Sequence, residues 1–143
     1  MSKIAVVYWS GTGNTESMAD AVAQGAKDKG AEVKLFTPDS FNSSMVDEFD
    51  AIAFGCPAMG AEELEETEFA PFFSAIEGKL AGKKVGLFGS YGWGDGEWMR
   101  TWTERVKKAG GVMIADGVIA NEAPDEAASA ECEALGEKAA KSV

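Results

Sequence analysis

The sequence predicts an α/β domain in which a parallel sheet is covered by helices on both faces. Five apolar runs alternate with amphipathic stretches, and no linker or low-complexity tract interrupts them. Continuous apolar strands between helices are typical of parallel sheets that are buried on both sides. A chain of 143 residues can bury a sizeable core without disulfides or a metal. We therefore expect one doubly wound domain over residues 1–143.

Apolar runs and apolar stripes place the strands and helices in chain order. The runs predict strands at residues 4–9, 33–36, 51–55, 85–89 and 112–119. Between them, apolar residues recur three or four positions apart, which is the spacing of one helix face. The four stripes are Met18, Val22 and Ala26; Phe69, Phe72, Phe73 and Ile76; Trp98, Trp102 and Val106; and Ala128, Cys132, Leu135 and Ala139. We expect Thr67 to cap the second helix, with Pro71 tolerated in its first turn.

The composition is strongly acidic. Asp and Glu number 24 against 13 Lys and Arg, which gives a formal net charge of −11. Nucleic acids and anionic membranes carry the same sign of charge, so we expect neither as a partner. A basic protein surface is the natural complement, although solubility alone also accounts for the acidity.

The chain contains no histidine, and its two thiols stand in unrelated contexts. With only Cys56 and Cys132 available, cysteine and histidine ligands cannot assemble a zinc or iron–sulfur site, and a catalytic triad is excluded. We expect two buried structural thiols, no metal and no catalytic residue. No secretory signal and no apolar segment of bilayer length is present, which predicts a cytoplasmic protein.

The segment after the first predicted strand has the features of a phosphate-binding turn. It reads Ser10-Gly11-Thr12-Gly13-Asn14-Thr15, and a helix is predicted to begin near Thr15. The glycines let backbone N–H groups approach a ligand, and the hydroxyls, the amide and the helix N-terminus supply donors and partial positive charge. The loop lacks the lysine of a triphosphate loop, and Glu16 stands where a dinucleotide loop has its third glycine. These features favour a single terminal phosphate; the alternative is an ordinary capped strand-to-helix turn.

Two further loops follow predicted strands and carry large side chains among glycines and other small residues. One is Ser90-Tyr91-Gly92-Trp93-Gly94-Asp95-Gly96, and the other is Cys56-Pro57-Ala58-Met59-Gly60-Ala61-Glu62. Neither has a periodicity that would carry its side chains into a core. A flat aromatic ligand could lie between Trp93 and Met59. Alternatively, Trp93 packs on its own loop and Met59 fills a gap beneath a helix.

With these motifs the whole chain resembles the short-chain flavodoxins, small electron carriers that bind flavin mononucleotide (FMN). The resemblance rests on the 10–15 loop, on Ala58-Met59-Gly60-Ala61-Glu62, on the segment from Gly89 to Met99, and on Asn121-Glu122. The family is itself the standard example of the strand order 2-1-3-4-5 with FMN at the switch point. The resemblance therefore implies this topology, with five strands, and FMN as the cofactor.

The resemblance also implies a role for individual residues. Ser10, Thr12, Asn14 and Thr15, together with backbone N–H groups of a loop that includes Gly11 and Gly13, would hold the phosphate. The flavin ring would stack on Trp93 under Met59, in a loop that includes Ser90, Tyr91 and Gly94, with the N–H groups of Gly92 and Trp93 toward flavin N1 and O2. Glu62 would accept a hydrogen bond from flavin N3, the Gly60–Ala61 peptide would respond to the redox state, and Asn121 would lie near the ribityl chain. Pro57 has no N–H and is not counted among the phosphate ligands.

Ala61 departs from the residue that the redox-sensitive turn favours. A type II turn with Gly60 second and Ala61 third requires a positive φ at Ala61, which favours Gly or Asn. We expect Ala61→Gly to widen the gap between the two one-electron potentials.

The implied function is low-potential one-electron transfer between partner proteins, with the flavin cycling between neutral semiquinone and anionic hydroquinone. The carboxylates of residues 62–68, Asp95 and Glu97 would disfavour the anionic form and attract basic-patched redox partners. We expect a monomer without a substrate of its own. The alternative is an FMN-dependent quinone reductase on the same fold. A phosphate-responsive receiver domain is disfavoured, because Trp9-Ser10 and Gly55-Cys56 stand where such a domain carries aspartates.

Overall fold

Strands and helices alternate along most of the described chain. A computed structural model describes residues 2–60 and 62–143, so the predicted role of Ala61 lies outside the described residues. The strands are β1 (Lys3–Tyr8), β2 (Glu32–Phe36), β3 (Ala51–Gly55), β4 (Lys84–Tyr91), β5 (Val112–Met113) and β6 (Val118–Asn121). The helices are α1 (Asn14–Asp28), α2 (Phe69–Ile76), α3 (Glu97–Lys108) and α4 (Glu126–Lys141).

The sheet is parallel throughout its described strand pairs, and its order is β2-β1-β3-β4-β5, with β6 also paired to β4. This confirms the predicted doubly wound fold and its strand order. The chain runs from β1 outward to β2 and then returns to β3 on the other side of β1, so the direction of winding reverses between β1 and β3. In doubly wound sheets, ligands bind beyond the carboxyl ends of the strands at this reversal.

The last strand position is shared by two short strands. β5 pairs with Lys84 and Val85 at the start of β4, whereas β6 pairs with the end of β4, where Tyr91 lies opposite Asn121. The chain leaves the sheet between them, and an added Cβ at Gly117 would lie only 2.5 Å from Sδ of Met99 on α3. The prediction of one strand over residues 112–119 was therefore wrong. The strand is interrupted after Met113, and its second part extends to Asn121.

The two faces of the sheet bury different sets of helices. In β1, Ala5 and Val7 belong to a core with α2 and α3, whereas Val6 packs with α1 and α4. The first of these cores is aromatic: the indole of Trp102 meets the rings of Phe69 and Phe73 at centroid distances of 5.5 and 5.8 Å. Every residue of the four predicted helix stripes is buried, which confirms these helix faces.

Glu65, and not Thr67, caps the second predicted helix. Helix α2 begins at Phe69, and the carboxylate of Glu65 accepts hydrogen bonds from the N–H groups of Glu68 and Phe69 at 2.7 and 2.9 Å. Thr67 donates to the same carboxylate. The prediction for Thr67 was wrong because a longer side chain two residues earlier reaches the same N–H groups.

No helix within the described ranges is long and apolar enough to cross a membrane.

Candidate functional site

A cleft of about 420 Å³ opens at the carboxyl ends of β1, β3 and β4. Its volume lies in the range of small-molecule sites, which is about 300–1,000 Å³. Four chain segments contribute to it: residues 9–14, 57–59, 90–93 and 122–123. The residues that line it are Trp9, Gly11, Thr12, Asn14, Pro57, Ala58, Met59, Ser90, Tyr91, Gly92, Trp93, Glu122 and Ala123. The three loops singled out from the sequence thus meet at one site.

The glycine-rich turn forms part of the lining of the cleft. Helix α1 begins at Asn14, and the residue before it, Gly13, has φ +95°, a conformation that glycine adopts without strain. The Ser10 hydroxyl accepts a hydrogen bond from the Gly13 N–H at 3.0 Å, and the Thr12 hydroxyl accepts one from the Asn14 N–H at 3.5 Å. The N-cap residue supplies no side-chain hydrogen bond to the first turn. An anion could therefore be stabilised by this helix end and by the hydroxyls beside it.

Three of the residues predicted to hold the phosphate do not line the cleft. Thr15 is 1% exposed, and its hydroxyl forms a hydrogen bond with that of Ser90 at 3.1 Å. Ser10 and Gly13 line a neighbouring groove of about 700 Å³ that extends toward residues 37–39. Trp9 and Gly11 border both the cleft and the groove.

Trp93 and Met59 are exposed apolar residues in the lining of the cleft. Trp93 is 55% exposed and Met59 is 37% exposed. Met59 is therefore not enclosed beneath a helix, and more than half of the Trp93 side chain remains accessible to a ligand. The indole N–H of Trp93 donates a hydrogen bond to the carbonyl oxygen of Gly60 at 3.2 Å. The two loops are thus in direct contact where a flat ligand would enter between them.

Within the described part of residues 56–65 the chain folds back on itself, and we call this segment the 56–65 hairpin. Met59 and Glu63 exchange two backbone hydrogen bonds, each of 2.8 Å. At the tip, Gly60 and Glu62 have φ values of +54° and +55°. A positive φ at Glu62 costs conformational energy, and such strain is frequent in functional loops.

The carboxylate of Glu62 contacts the start of α3 and does not line the cleft. Its Oε1 accepts hydrogen bonds from the N–H groups of Asp95 and Gly96 at 3.0 and 3.3 Å. The side chain passes so close to Gly94 that an added Cβ there would lie 1.8 Å from Oε1. Both bonds use the same oxygen, and no hydrogen bond from a described residue reaches Oε2. Gly94 therefore provides room for Glu62 and does not itself line the cleft.

Asn121 lies at the end of β6 and borders a different groove. The next residue, Glu122, lines the cleft instead; it has φ +57°, and its N–H donates to the carbonyl oxygen of Tyr91 at 2.7 Å. The cleft residues that sequence reasoning did not assign to the site are Trp9, Pro57, Ala58, Glu122 and Ala123. Of these, Glu122 and Ala123 follow β6, which extends to Asn121 and not only to residue 119 as predicted. Trp9 is the last residue of the first predicted strand.

The electrostatic surroundings of the cleft are acidic. None of the described residues that line it is Lys or Arg, and one, Glu122, is a carboxylate. Of the nearby cations, Arg100 is paired with Asp95 at 3.1 Å. A ligand phosphate would therefore be held by neutral donors and a helix end, not by a cationic side chain.

Both thiols are buried, as expected of structural cysteines. Burial raises the pKa of Cys56 and of Cys132 to about 12, so both remain protonated near neutral pH and are poor nucleophiles. Within residues 2–60 and 62–143, no group of three or more Cys, Asp or Glu side chains is arranged to hold a metal ion.

A parallel sheet with a phosphate-type turn and an apolar-walled cleft at its switch point defines an α/β protein of the mononucleotide-binding class. Comparison with known families agrees, because the flavodoxin family model matches residues 6–136. The flavodoxin of Megasphaera elsdenii is 50% identical over 138 residues, which cover 96% of this chain and 98% of that protein. The flavodoxin of Clostridium beijerinckii is 47% identical over 135 residues, with coverages of 94% and 97%.

Solved structures give the same answer. The solution structure of two-electron reduced Megasphaera elsdenii flavodoxin superposes with a TM-score of 0.90 at 51% identity, covering 96% of this chain and 98% of that one. The chain belongs to the flavodoxin family. It is therefore a flavoprotein of electron transport, and the predicted family is confirmed.

Proposed function

We propose that this protein is a low-potential one-electron carrier that holds FMN non-covalently in the cleft and has no substrate of its own. The observation that carries the proposal is the lining of the cleft: the turn at Gly11, Thr12 and Asn14 and the exposed side chains of Met59 and Trp93 border the same cavity. A ligand that combines a phosphate with a flat ring matches these two kinds of lining. The cleft volume and the neutral donor set also fit such a ligand.

The residues of the chain bind and orient the cofactor, while bound FMN supplies the one-electron chemistry. Backbone N–H groups at the start of α1, with the side chains of Thr12 and Asn14, hold the phosphate. Trp93 and Met59 cover the two faces of the ring and exclude water from them. Ser10 shapes the turn through its bond to the Gly13 N–H, which assigns it a supporting role.

The loops at residues 60–62 and 92–94 orient the edge of the ring. Glu62 accepts a hydrogen bond from flavin N3. Its Oε1 already accepts from two N–H groups, which leaves Oε2 as the acceptor. The carbonyl of Gly60 and its peptide bond form the redox-sensitive element, and the N–H groups of Gly92 and Trp93 face flavin N1 and O2. Glu122 lines the cleft and Asn121 does not. We therefore propose that Glu122, in place of Asn121, lies beside the ribityl chain.

The acidity of the surface sets the redox range and the partner. Carboxylates in residues 62–68 and at Asp95 and Glu97 disfavour a negatively charged flavin, so we propose cycling between the neutral semiquinone and the anionic hydroquinone, with the second step at low potential. The net charge of −11 favours partner oxidoreductases with basic patches, at rates that fall as salt rises. We propose a monomer that acts in the cytoplasm, where free thiols such as Cys56 and Cys132 persist.

Stepwise reduction of the purified protein with FMN tests the proposal. A yellow protein that passes through a blue neutral semiquinone supports the carrier function. A colourless protein without affinity for FMN would refute it. Rapid direct oxidation of a reduced nicotinamide by a quinone would favour a quinone reductase instead, and the two functions separate in a single titration followed by a turnover assay.

A further inference from the structure

The carboxylate of Glu65 is buried at the base of the 56–65 hairpin. Glu65 is 5% exposed, although it lies in a glutamate-rich stretch whose other described members are at least partly exposed. Its Oε1 accepts from the N–H groups of Glu68 and Phe69 at 2.7 and 2.9 Å. Its Oε2 accepts from the N–H of Thr67 at 2.8 Å and from the Thr67 hydroxyl. Each oxygen thus receives two donors.

These donors hold the charge without an ion pair among the described residues. Burial raises the pKa of the Glu65 carboxyl, but the hydrogen bonds from Thr67, Phe69 and Glu68 outweigh it, so the pKa lies below its ordinary value. The carboxylate also lies at the N-terminus of α2, where the helix dipole favours a negative charge. Glu65 is therefore ionised at neutral pH and firmly bound to α2.

The backbone of Glu65 ties the same residue to β3. Its N–H donates to Sγ of Cys56, the first residue after β3, at 3.4 Å, and its carbonyl oxygen accepts from the N–H of Ala70 at 2.8 Å. Cys56 is in turn held through its carbonyl oxygen, which accepts from the indole N–H of Trp98 at 3.2 Å. These bonds join the two ends of the 56–65 hairpin to each other and to the core of the protein.

The base of the hairpin is continuous with its functional tip. Only Leu64 separates Glu65 from Glu63, and Glu63 is bonded twice to Met59. A displacement of Glu65 would therefore be transmitted to Met59 and Gly60, which meet the cleft and Trp93. We propose that Glu65 is a positioning residue for the cofactor: its carboxylate fixes the 56–65 hairpin at the height where Met59 and the Gly60 carbonyl meet the flavin. This inference rests on the proposed function, in which FMN occupies the cleft.

The test compares Glu65→Gln with Glu66→Gln. Both variants remove one negative charge from the same segment, but Glu66 is exposed and no described residue donates a hydrogen bond to its side chain. Any effect of charge alone is shared by the two, whereas a glutamine at position 65 presents an NH₂ group to two N–H or O–H donors. The difference between the variants therefore isolates positioning from electrostatics.

The first readout uses the protein without FMN. Amide hydrogen exchange at Met59 and Glu63 should be roughly tenfold faster or more in Glu65→Gln than in Glu66→Gln, while exchange at Ile4 and Val22 in the core stays alike. If Glu65→Gln does not fold, Thr67→Ala, an exposed change that removes one of the four donors, replaces it and should accelerate exchange at the same two amides to a smaller extent.

The second readout uses the loaded protein. Glu65→Gln should raise the dissociation constant for FMN by roughly tenfold and narrow the separation of the two one-electron potentials, whereas Glu66→Gln should shift both potentials upward without raising the dissociation constant. Equal exchange at Met59 and Glu63 in both variants would overturn the inference, as would equal affinities and equal separations. Failure of the proposed function looks different, because the unaltered protein would then bind no FMN.

Discussion

The hydroxyl oxygens of Thr15 and Ser90 lie 3.1 Å apart beneath the cleft and join two segments that are 75 residues distant in sequence. Thr15 belongs to the first turn of α1, and Ser90 lies near the end of β4. Both are buried, at 1% and 5% exposure. This bond connects the helix that follows the glycine-rich turn directly to the strand end before the loop that carries Trp93.

Removing either of these hydroxyls should destabilise the protein, and removing both should cost less than the sum of the two single losses. Thr15→Val preserves volume but leaves the Ser90 hydroxyl without its partner, at a cost of about 1–3 kcal/mol. Ser90→Ala should have a similar effect, and the double variant should cost less than the sum of the two. Urea unfolding of the four proteins without FMN gives the coupling energy. Additive losses would show that the two hydroxyls do not depend on each other.

Helices α1 and α4 pack so closely that two glycines are required between them. An added Cβ would lie 2.0 Å from the Glu133 carbonyl oxygen at Gly25, and 1.9 Å from the Val22 carbonyl oxygen at Gly136. Backbone atoms cannot yield as a side chain can, so Gly25→Ala and Gly136→Ala should each destabilise the protein by about 1–3 kcal/mol or more. Denaturant midpoints measure this loss. Gly78→Ala is the matched control, because nothing lies within 4 Å of its added Cβ; a comparable loss in the control would contradict the packing argument.

The hydrophobic pattern was sufficient to predict the strands and helices that form the layers of the fold. It did not predict where a strand is interrupted or how a helix is capped. Runs and stripes are set by burial, so the strands before residue 92 and all four helix faces follow from residue type. The break between β5 and β6 coincides with a tertiary contact, the close approach of Met99 to Gly117, which a local sequence pattern does not contain. The capping of α2 by Glu65 is likewise decided by reach and burial, whereas local preference pointed to Thr67.

At the site, residue types predicted which loops meet but only some of the side chains that line the cleft. Trp93 and Met59 could be identified because large apolar side chains had no periodic core to enter. Thr15 has the right chemistry for a phosphate ligand, yet it points to Ser90, since a helix exposes only one side of its first turn. Glu62 is directed by two N–H donors at the start of α3, and that contact spans more than thirty residues of sequence.

Replacing Trp93 should weaken FMN binding with little effect on folding. The side chain is 55% exposed, so Trp93→Ala leaves the core intact, while loss of an aromatic stacking surface costs about 1–3 kcal/mol, or roughly 5- to 150-fold in affinity. Trp93→Phe keeps a ring but loses the N–H that donates to Gly60. Its affinity for FMN should therefore lie between those of Trp93→Ala and the unaltered protein. Fluorescence titration with FMN gives the dissociation constants. Leu35→Ala, at an exposed position on the edge strand β2, should leave the affinity unchanged; an unaltered affinity in Trp93→Ala would contradict the stacking role.

The pH dependence of stability should reveal the ionised state of Glu65. Burial raises the pKa of this carboxyl, but the hydrogen bonds donated by Thr67, Phe69 and Glu68 outweigh it, so the folded-state pKa is lowered. A carboxylate with a lowered pKa contributes stability that is fully present above the pKa of the unfolded chain, about 4.3, and that is lost as the pH falls through the lower folded value. The FMN-free protein should therefore exceed Glu65→Gln in unfolding free energy by a constant margin from about pH 7 down to about pH 5. The margin should shrink below about pH 4, whereas Glu66→Gln should follow the unaltered protein throughout. Urea titrations at several pH values measure these margins, and a margin that does not change with pH would mean that the Glu65 pKa is not lowered by folding.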